Sequence, residues 1–432
     1  MRELRRSRTV WFRKGVPKLF MFTSFSTALS ALSAHATAVD VVGNNLANLN
    51  TPGFKTSVVS FHDLVTQSLG AGLGETQVGF GVGRPITLRQ FSQGAIKTSA
   101  GELDAAIQGD GFLVVKDKVT TGNIYTRGGN LQVDKSGNLL TSTGQRVQGW
   151  MSANGAPSTN GPLGDIVIPV GTLKEPVAST EFSFDVNLNS SSAAGEVFST
   201  PIEVFDSLGG SHVLTVDFTK SSTANVWDYT ISFPDADVST PVTPVTGQIT
   251  FDSSGKMADP AASGTMPQIT ISGLNNGAAD LTLDWQLYDG AAPRLTQFSQ
   301  PSSVNANQQD GSPAAQLVRV GIASGGVVLA QYSNGQQLAV AQLAMASIRN
   351  PESLIAVGDN AFGLSARSAL PAIGLPGTGG RGSIIGGAVE NSTVDIAREF
   401  TNLIVLQRGY QANARVVTTV DEMSQETISL KR

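Results

Sequence analysis

The 432-residue chain contains no cysteine and only three histidines, His35, His62 and His212. The absence of cysteine excludes disulfides, thiolate nucleophiles and zinc sites with Cys ligands. So few histidines leave little material for general-base or metal chemistry. The composition therefore favours a structural protein over an enzyme.

Charge and long hydrophobic runs are also scarce. Charged residues make up 15% of the chain, against about 25% in an ordinary soluble protein. The net charge of −5 argues against a nucleic-acid partner. No run of about 18 apolar residues occurs, so we predict no membrane-spanning helix.

Residues 1–20 form a basic extension that contains seven Lys or Arg residues and one acid. The apolar stretch Leu19–Phe22 and the triplet Ala34-His35-Ala36 follow it, which imitates a signal peptide with its cleavage site. Serines and threonines interrupt the apolar region from residue 23 onward. We therefore favour a translation start at Met21 over a signal peptide, and predict export without a cleaved signal peptide.

Both ends of the chain carry apolar residues at steps of three and four, which predicts two long amphipathic helices or coiled-coil seams. The N-terminal helix is expected to end at Asn50-Thr51-Pro52-Gly53, because proline disfavours helical backbone before it and glycine favours a turn. The candidate self-assembly residues of the N-terminal helix are Phe25, Leu29, Leu32, Val39 and Leu46. Those of the C-terminal helix are Ile396, Phe400, Leu403, Leu406, Tyr410 and Val417.

The other faces of the N-terminal helix are rich in Ser, Thr and Asn, which are mediocre helix formers. An isolated pair of such helices has only marginal stability, because packing against other elements supplies most of the stability of a helix. We therefore predict that the terminal helices pair as a coiled-coil-like core and fold when neighbouring copies cover them. A self-contained antiparallel helix hairpin is the alternative.

Between the helices, apolar and polar residues alternate in short segments separated by turn residues, which predicts half-buried antiparallel strands. Helices do not alternate with these strands, so a Rossmann or barrel enzyme is not expected. The clearest alternating positions are Phe182, Phe184, Val186 and Leu188; Leu214, Val216 and Phe218; Trp227, Tyr229 and Ile231; and Leu281, Leu283, Trp285 and Leu287. A further strand signal runs from Ile124 to Val133. The predicted fold class is α+β, with antiparallel β-rich inner and outer domains inserted between two long terminal helices.

The length allows about three domains, and glycine-rich stretches mark flexible connections. The predicted division is a basic extension at 1–20, a terminal helical core domain at 21–56 with 389–432, Gly-rich connecting segments at 57–91 and 371–388, an inner β domain at 92–150 with 301–370, and an outer β domain at 151–300.

Motifs for chemistry are weak throughout. The glycines of Gly79–Gly83 precede extended chain, not the helix that a dinucleotide loop needs. Asp134–Gly137 lacks the later acidic ligands of a calcium loop and predicts a hairpin turn. His35 and His212 are interpreted as packing or surface residues. We predict no catalytic residue, no cofactor site and no metal site.

The segment at the end of the N-terminal helix resembles the N-terminal signature of the flagellar basal body rod and hook protein family. Its signature residues here are Asn44, Asn45, Ala47, Asn48, Thr51, Pro52, Gly53 and Phe54, followed by Lys55 and Thr56. The stretches Ala106–Phe112, Tyr125–Asn130 and Arg146–Trp150 also fit this family, and Val394–Asn413 resembles its C-terminal signature. The middle segment Thr200–His212 resembles the outer domain of the hook members.

The resemblance implies a structural subunit of a short, flexible, hollow tube, the flagellar hook, which transmits torque from rod to filament. It implies further copies of this chain as partners, together with the distal rod protein, the hook cap protein, the hook–filament junction proteins and the flagellar type III export machinery. It also implies an extracellular place in the flagellum. Two alternatives stay open: a distal-rod subunit of the same family, and a secreted β-rich binding module. A carboxylate-based hydrolase finds no support beyond the presence of acids such as Asp206 and Asp217.

Overall fold

The computed structural model describes residues 18–64, 66–69, 76–118, 122–153, 155–159 and 161–430. Two long helices lie at the ends of the described chain, α1 (Lys18–Ala47) and α2 (Ile396–Ser429). Residues 1–17 of the predicted basic extension fall outside the described part. Short strands occupy most of the chain between the helices.

The strands of the first third are short. They are β1 (Ser57–Ser60), β2 (Thr66–Leu69), β3 (Thr76–Gly79), β4 (Ile86–Arg89), β5 (Ile96–Thr98), β6 (Ala105–Gln108), β7 (Phe112–Lys116), β8 (Asn123–Thr126), β9 (Leu131–Val133), β10 (Leu139–Thr141), β11 (Arg146–Ala153), β12 (Ala156–Pro157), β13 (Gly164–Asp165) and β14 (Leu173–Lys174).

The middle strands are longer. They are β15 (Glu181–Asn189), β16 (Val197–Phe205), β17 (Ser211–Lys220), β18 (Val226–Ser232), β19 (Val245–Phe251), β20 (Met257–Asp259), β21 (Gln268–Ile271), β22 (Leu281–Trp285), β23 (Tyr288–Asp289), β24 (Ala292–Pro293), β25 (Leu295–Phe298) and β26 (Ser303–Gln309).

The last strands lead to α2. They are β27 (Ala315–Ile322), β28 (Val327–Tyr332), β29 (Gln337–Leu343), β30 (Met345–Ser347), β31 (Ile355–Gly358), β32 (Ala361–Gly363), β33 (Ala372–Gly374), β34 (Ser383–Gly386) and β35 (Ala388–Glu390).

The chain divides into two compact units. Unit 1 comprises the described residues of Met1–Ile168, Val320–Leu329 and Ala339–Arg432, and unit 2 comprises Pro169–Arg319 and Ala330–Leu338. Unit 1 thus contains both ends of the described chain, and unit 2 is an excursion from its middle.

Unit 1 contains both helices and a sheet with the strand order β29-β11-β7-β8-β32-β31. Its core includes three phenylalanine rings, Phe91, Phe112 and Phe362, which pack edge to face at centroid distances of 5.2–5.9 Å. Such edge-to-face pairs match the positive ring edge to the negative ring face. The segment predicted as one strand from Ile124 to Val133 is two strands, β8 and β9, because residues 127–130 leave the sheet.

Unit 2 consists mainly of two five-stranded sheets. One has the order β16-β17-β18-β19-β20, and in the other β15 lies between β22 and β25 and also pairs with β26. All fourteen alternating apolar positions predicted from the sequence are at most 7% exposed, so their burial is confirmed.

The expectation of purely antiparallel strands is wrong for β15. This strand pairs parallel with β22 and with β25, and antiparallel with β26. Between β15 and β22 the chain forms the other sheet, β16-β17-β18-β19-β20, and then returns to the sheet of β15. A long crossover of this kind allows parallel pairing. Strand β15 is also buried on both faces, since Ser183 and Asn187 are buried like their apolar neighbours.

The C-terminal Gly-rich segment differs from the flexible connection that its composition predicts. Strand β34 pairs with β6, and β33 pairs with β30. A Cβ atom at Gly386 would lie 1.7 Å from the Ile322 carbonyl oxygen, and one at Gly382 would lie 2.2 Å from the Gln108 carbonyl oxygen. Glycine is required at these two positions for close packing of the backbone.

Candidate assembly site

Helix α1 buries its small residues and leaves its large ones partly open. Ala28, Ala34, Ala38 and Val42 form the buried face. Of the predicted stripe, Phe25 and Leu29 are 40% and 55% exposed, and Leu32, Val39 and Leu46 are half-buried. The helix ends at Ala47, slightly before the predicted stop, and a turn over residues 48–50 leads to Pro52.

Helix α2 begins at an N-cap, because the Asp395 carboxylate accepts hydrogen bonds from the backbone N–H groups of Ala397 and Arg398. Such a cap satisfies backbone donors that the helix itself leaves free. Among the predicted residues of α2, Ile396, Phe400 and Tyr410 are 44–48% exposed, and Leu403, Leu406 and Val417 are half-buried.

The two helices approach closely at Gly409. A Cβ atom at this position would lie 2.8 Å from Cε1 of the His35 ring on α1. Glycine therefore allows the ring and the α2 backbone to come together. His35 thus packs at the contact between the helices.

The signature at the end of α1 joins the helix to the strands of unit 1. The Asn45 side chain is buried and bonds the Ser57 backbone twice, from Nδ2 to the carbonyl oxygen at 2.8 Å and from the Ser57 N–H to Oδ1 at 3.0 Å. Asn48 donates to the Asn44 carbonyl at 2.8 Å and accepts from the Thr51 hydroxyl at 3.1 Å. Ala47 is exposed. These bonds fix the direction in which the chain leaves α1.

The turn after α1 is held by the chain segment that precedes α2. The Gly53 N–H donates to the Glu390 carbonyl oxygen at 2.8 Å. Gly53 has a φ of 70°, and a Cβ atom there would lie 2.5 Å from the Arg127 carbonyl oxygen. The Asn360 side chain donates to the Pro52 carbonyl oxygen at 2.9 Å, and Phe54 is buried.

A buried charge cluster, which the sequence reasoning missed, anchors both chain ends. Lys55 and Glu390 have fully buried side chains and pair at 2.6 Å, and Arg127 lies 3.4 Å from the second Glu390 oxygen. Lys55 also donates to the Ser92 carbonyl oxygen at 2.6 Å, and the Gly94 N–H donates to Glu390 at 2.7 Å. Lys55 stands inside the quoted signature, but no local pattern links it to partners so distant in sequence.

Two opposing effects act on the pKa of Lys55 in this cluster. Burial lowers the pKa of Lys55 below its ordinary value, and the hydrogen bond and charge of Glu390 oppose that shift. A buried charge is tolerated only when it is paired and hydrogen-bonded. We call Lys55, Arg127 and Glu390 the anchor cluster.

Unit 2 contains a second polar cluster, centred on His212. Its Nε2 lies 2.9 Å from the Asp206 carboxylate and its Nδ1 lies 2.9 Å from the Asp237 carboxylate. Asn276 donates to the same Asp206 oxygen as His212, and the backbone N–H groups of Leu208 and Gly210 donate to the other one. His212 and Asp206 are buried.

The two carboxylates favour a charged ring at His212. Burial lowers its pKa, but the hydrogen bonds and charges of Asp237 and Asp206 outweigh burial and raise the pKa above its ordinary value. Burial raises the pKa of Asp206, and the hydrogen bonds from His212 and Asn276 outweigh this and lower it. With both nitrogens facing acceptors, only the doubly protonated ring can donate to both.

No described helix is long and apolar enough to cross a membrane. Across the described residues, no group of three or more His, Cys, Asp or Glu side chains is arranged to hold a metal ion. Helices α1 and α2 present partly exposed apolar side chains, among them Phe25, Leu29 and Phe400.

Comparison with known families defines the class of protein. Four family profiles match: "Flagella basal body rod protein" at residues 25–55, "Flagellar hook protein FlgE/F/G D1 domain" at 106–187, "Flagellar basal body protein FlaE D2 domain" at 174–312, and "Flagellar basal body rod FlgEFG protein C-terminal" at 385–430. The chain belongs to the family of flagellar basal body rod and hook proteins. The first and last of these segments contain most of α1, all of α2 and two members of the anchor cluster, Lys55 and Glu390.

Similarity over the whole length identifies the particular family. The chain is 31% identical to the flagellar hook protein FlgE of Treponema pallidum (strain Nichols), over 95% of this chain and 100% of the relative. It is 32% identical to the flagellar hook protein FlgE of Escherichia coli (strain K12), over 94% of this chain and 100% of the relative. The chain belongs to the flagellar hook protein FlgE family and is a structural subunit of the flagellar hook. Neither the distal-rod nor the binding-module alternative is favoured.

A solved structure supports the fold alone. The hook protein FlgE2 of Helicobacter pylori superposes with a TM-score of 0.51 at 17% identity, over 67% of this chain and 99% of that one.

Proposed function

We propose that this chain polymerises through its terminal helices into a flexible hollow tube that acts as a universal joint and transmits torque from rod to filament in motility. The observation that carries the proposal is the apolar face that one copy leaves open. Phe25, Leu29, Phe400 and Tyr410 are each at least 40% exposed. Exposed large apolar side chains along both helices are surface that further copies would cover in a helical homopolymer.

The pairing of α1 and α2 as a coiled-coil-like core is part of the proposal. It is supported by the spacing of the less exposed residues of α2, which recur at steps of three or four as in a heptad seam, apart from the adjacent pair Asn413 and Ala414. These residues are Glu399, Leu403, Leu406, Gly409, Asn413, Ala414, Val417, Val420 and Ser424. The close approach of Gly409 to His35 supports it from the side of α1. The predicted assembly residues of both helices retain this role as a proposal.

The domain division is proposed with roles for each part. The helical core of residues 21–56 and 389–432 would line the tube, residues 92–150 with 301–370 would form its wall, and residues 151–300 would face outward. Charge-poor β surfaces would allow neighbouring copies to slide, because few directional ion pairs must break.

We extend the proposal to partners and location. The chain would pass through the flagellar type III export machinery without a cleaved signal peptide and assemble outside the cell beneath the hook cap protein. It would contact the distal rod protein at one end of the tube and the hook–filament junction proteins at the other. A chain without cysteine suits that passage, since no stray disulfide can form. We propose no enzymatic activity and no cofactor.

The proposal is tested by electron microscopy of basal bodies from a strain that lacks the gene. We expect a complete rod without a hook, and hooks restored by a plasmid copy of the full chain. Loss of the distal rod would assign the chain to the rod, and intact hooks in the deletion strain would overturn the structural role.

A further inference from the structure

A groove in unit 1 holds a carboxylate with one oxygen that lacks a hydrogen-bond partner. Residues of α1, β1 and α2 enclose the groove, whose volume is about 400 Å³. Val41, Val42, Val58 and Val59 supply an apolar lining, and Glu399 of α2 also lines it. Glu399 is only 5% exposed, and its Oε2 atom is buried without a hydrogen-bond partner.

The charged neighbours of Glu399 do not satisfy this carboxylate. Asp395, one turn earlier, caps the backbone of α2. Arg398 lines the same groove, yet within the described chain it forms no ion pair with Glu399 at 4.0 Å or less. An unsatisfied buried acceptor destabilises the fold, and more so when it is charged. A cationic donor entering the groove would relieve this cost.

Helix α2 also carries an arginine, Arg408, whose surroundings suit such a groove. Arg408 is exposed, and its guanidinium has no hydrogen bond or ion pair to any described residue. One turn before it stands Ile404, which is 52% exposed. An arginine beside a large apolar residue matches a groove that has valines around a carboxylate. Arg415, the next exposed arginine of α2, instead has the polar Gln411 one turn before it.

Helix geometry requires that the two groups meet between copies. Arg408 follows Glu399 by nine residues, which is two and a half turns of an α-helix and places it on the opposite face, about 13.5 Å along the axis. A side chain cannot reach around its own helix over that distance. Surfaces on opposite faces that complement each other generate a heterologous contact, which repeats from copy to copy in an open polymer.

We propose that the groove between α1, β1 and α2 receives Ile404 and Arg408 of a second copy, whose guanidinium donates to the Glu399 carboxylate. This inference rests on the proposed polymerisation and names one contact within it. The contact would fix the stagger of neighbouring α2 helices at about 13.5 Å along the helix axis when they run parallel.

The test is a charge exchange in the purified full-length chain, measured as the protein concentration at which polymer first sediments. Glu399→Arg alone and Arg408→Glu alone should each raise this concentration about tenfold or more, because each places like charges in the contact. An equimolar mixture of the two single variants should recover assembly, since each then offers the charge that the other lacks. The double variant should recover it as well.

Controls separate this contact from folding and from polymerisation in general. Glu399→Gln keeps the side-chain shape and should still raise the concentration severalfold, whereas Glu422→Gln and Arg415→Glu, at exposed positions of α2, should leave it near the wild-type value. Circular dichroism should show the same secondary structure in every variant that is compared.

Three results would overturn the inference. They are normal assembly of Glu399→Arg and Glu399→Gln, no recovery in the mixture, and an effect of Arg415→Glu equal to that of Arg408→Glu. The last two would indicate that another residue of this chain or another protein fills the groove. Failure of the wild-type chain to polymerise would instead count against the proposed function.

Discussion

Large apolar side chains are distributed very differently in unit 2 and on the terminal helices. In unit 2, Trp227, Trp285 and Phe218 are at most 1% exposed. On the helices, Leu29 and Phe400 are 55% and 48% exposed, although both stand in stripes of regular apolar spacing. Unit 2 closes its core within one chain, and the helices leave theirs open.

The difference teaches which part of the molecule depends on its neighbours. A unit whose two sheets bury most of their own aromatic residues can be stable alone, because its core is closed within one chain. A helix pair with an open apolar face gains its remaining burial only from another molecule. Mutations in the two regions should therefore separate folding from assembly.

The largest effect is expected for Leu403→Asp on α2. A carboxylate at this half-buried position of the helical seam would have to be desolvated in the polymer, which costs several kcal/mol, and each 1.4 kcal/mol is a factor of ten. Polymer yield should fall about a hundredfold or more in sedimentation assays. Unit 2 should keep the protease resistance of the wild type, since Leu403 is not part of its core.

Phe218→Ala in unit 2 is the matched variant for folding, as Leu403→Asp is for assembly. It removes a fully buried ring and should destabilise unit 2 by about 3–5 kcal/mol, with early loss of protease resistance. If Leu403→Asp lowered protease resistance as much as Phe218→Ala, the separation of folding from assembly would be wrong.

A second effect, in the anchor cluster, should be nearly as large on stability. Glu390→Gln leaves Lys55 and Arg127 buried without a countercharge, and breaking a buried pair in this way costs about 3–5 kcal/mol. The thermal unfolding of unit 1 should shift downward, and the chain segments next to α1 and α2 should become the first sites of proteolysis.

An exposed ion pair of the same unit provides the control. Lys118 and Asp359 lie 4.0 Å apart and are 50% and 55% exposed, and such pairs contribute at most about 1 kcal/mol. Asp359→Asn should therefore leave unfolding almost unchanged, and asparagine also tolerates the positive φ of 51° at this position. Equal shifts for the two variants would show that Glu390 does not act as an anchor.

Much of the architecture is predictable because its signals are local. Period-two alternation locates β15, β17, β18 and β22, and steps of three and four locate both helices. The parallel pairing of β15 is not predictable in this way, since it depends on how the chain returns from a distant excursion. The order within the C-terminal Gly-rich segment also depends on close backbone contacts, which composition alone does not reveal.

The candidate site is predictable only in part for the same reason. Apolar spacing identifies the two assembly stripes, but which residues lie toward the partner helix depends on their packing, and small residues such as Ala34 and Ala38 occupy the buried face of α1. The anchor cluster joins Lys55 to Glu390 across most of the chain. No pattern in a single sequence records such a pairing.

The smallest effect on stability is expected from the His212 cluster. The direction of its pH dependence follows from the direction in which the pKa of His212 is shifted. The pKa of His212 is raised in the folded chain above its ordinary value of 6.5. Stability that depends on the charged ring is therefore fully present below about pH 6.5 and is lost as the pH rises through the folded-state pKa. Asp206 acts at the other end, since its lowered pKa adds stability that is lost only when the pH falls below about 4.

His212→Asn tests whether the hydrogen bonds of His212 to Asp206 and Asp237 stabilise unit 2 in a pH-dependent way. Loss of hydrogen bonds to a charged group should destabilise unit 2 by roughly 1–3 kcal/mol at pH 6. The difference from wild type should shrink as the pH rises above 6.5 toward the folded-state pKa, because the charged ring is then lost and a neutral ring can donate to only one of the two carboxylates. Unfolding followed by tryptophan fluorescence measures this, because Trp227 and Trp285 lie in the core of unit 2. His62→Asn, at an exposed position of unit 1, is the matched control. A destabilisation that is constant from pH 6 to pH 8.5 would mean that His212 contributes packing alone and that its two carboxylates do not hold a charge.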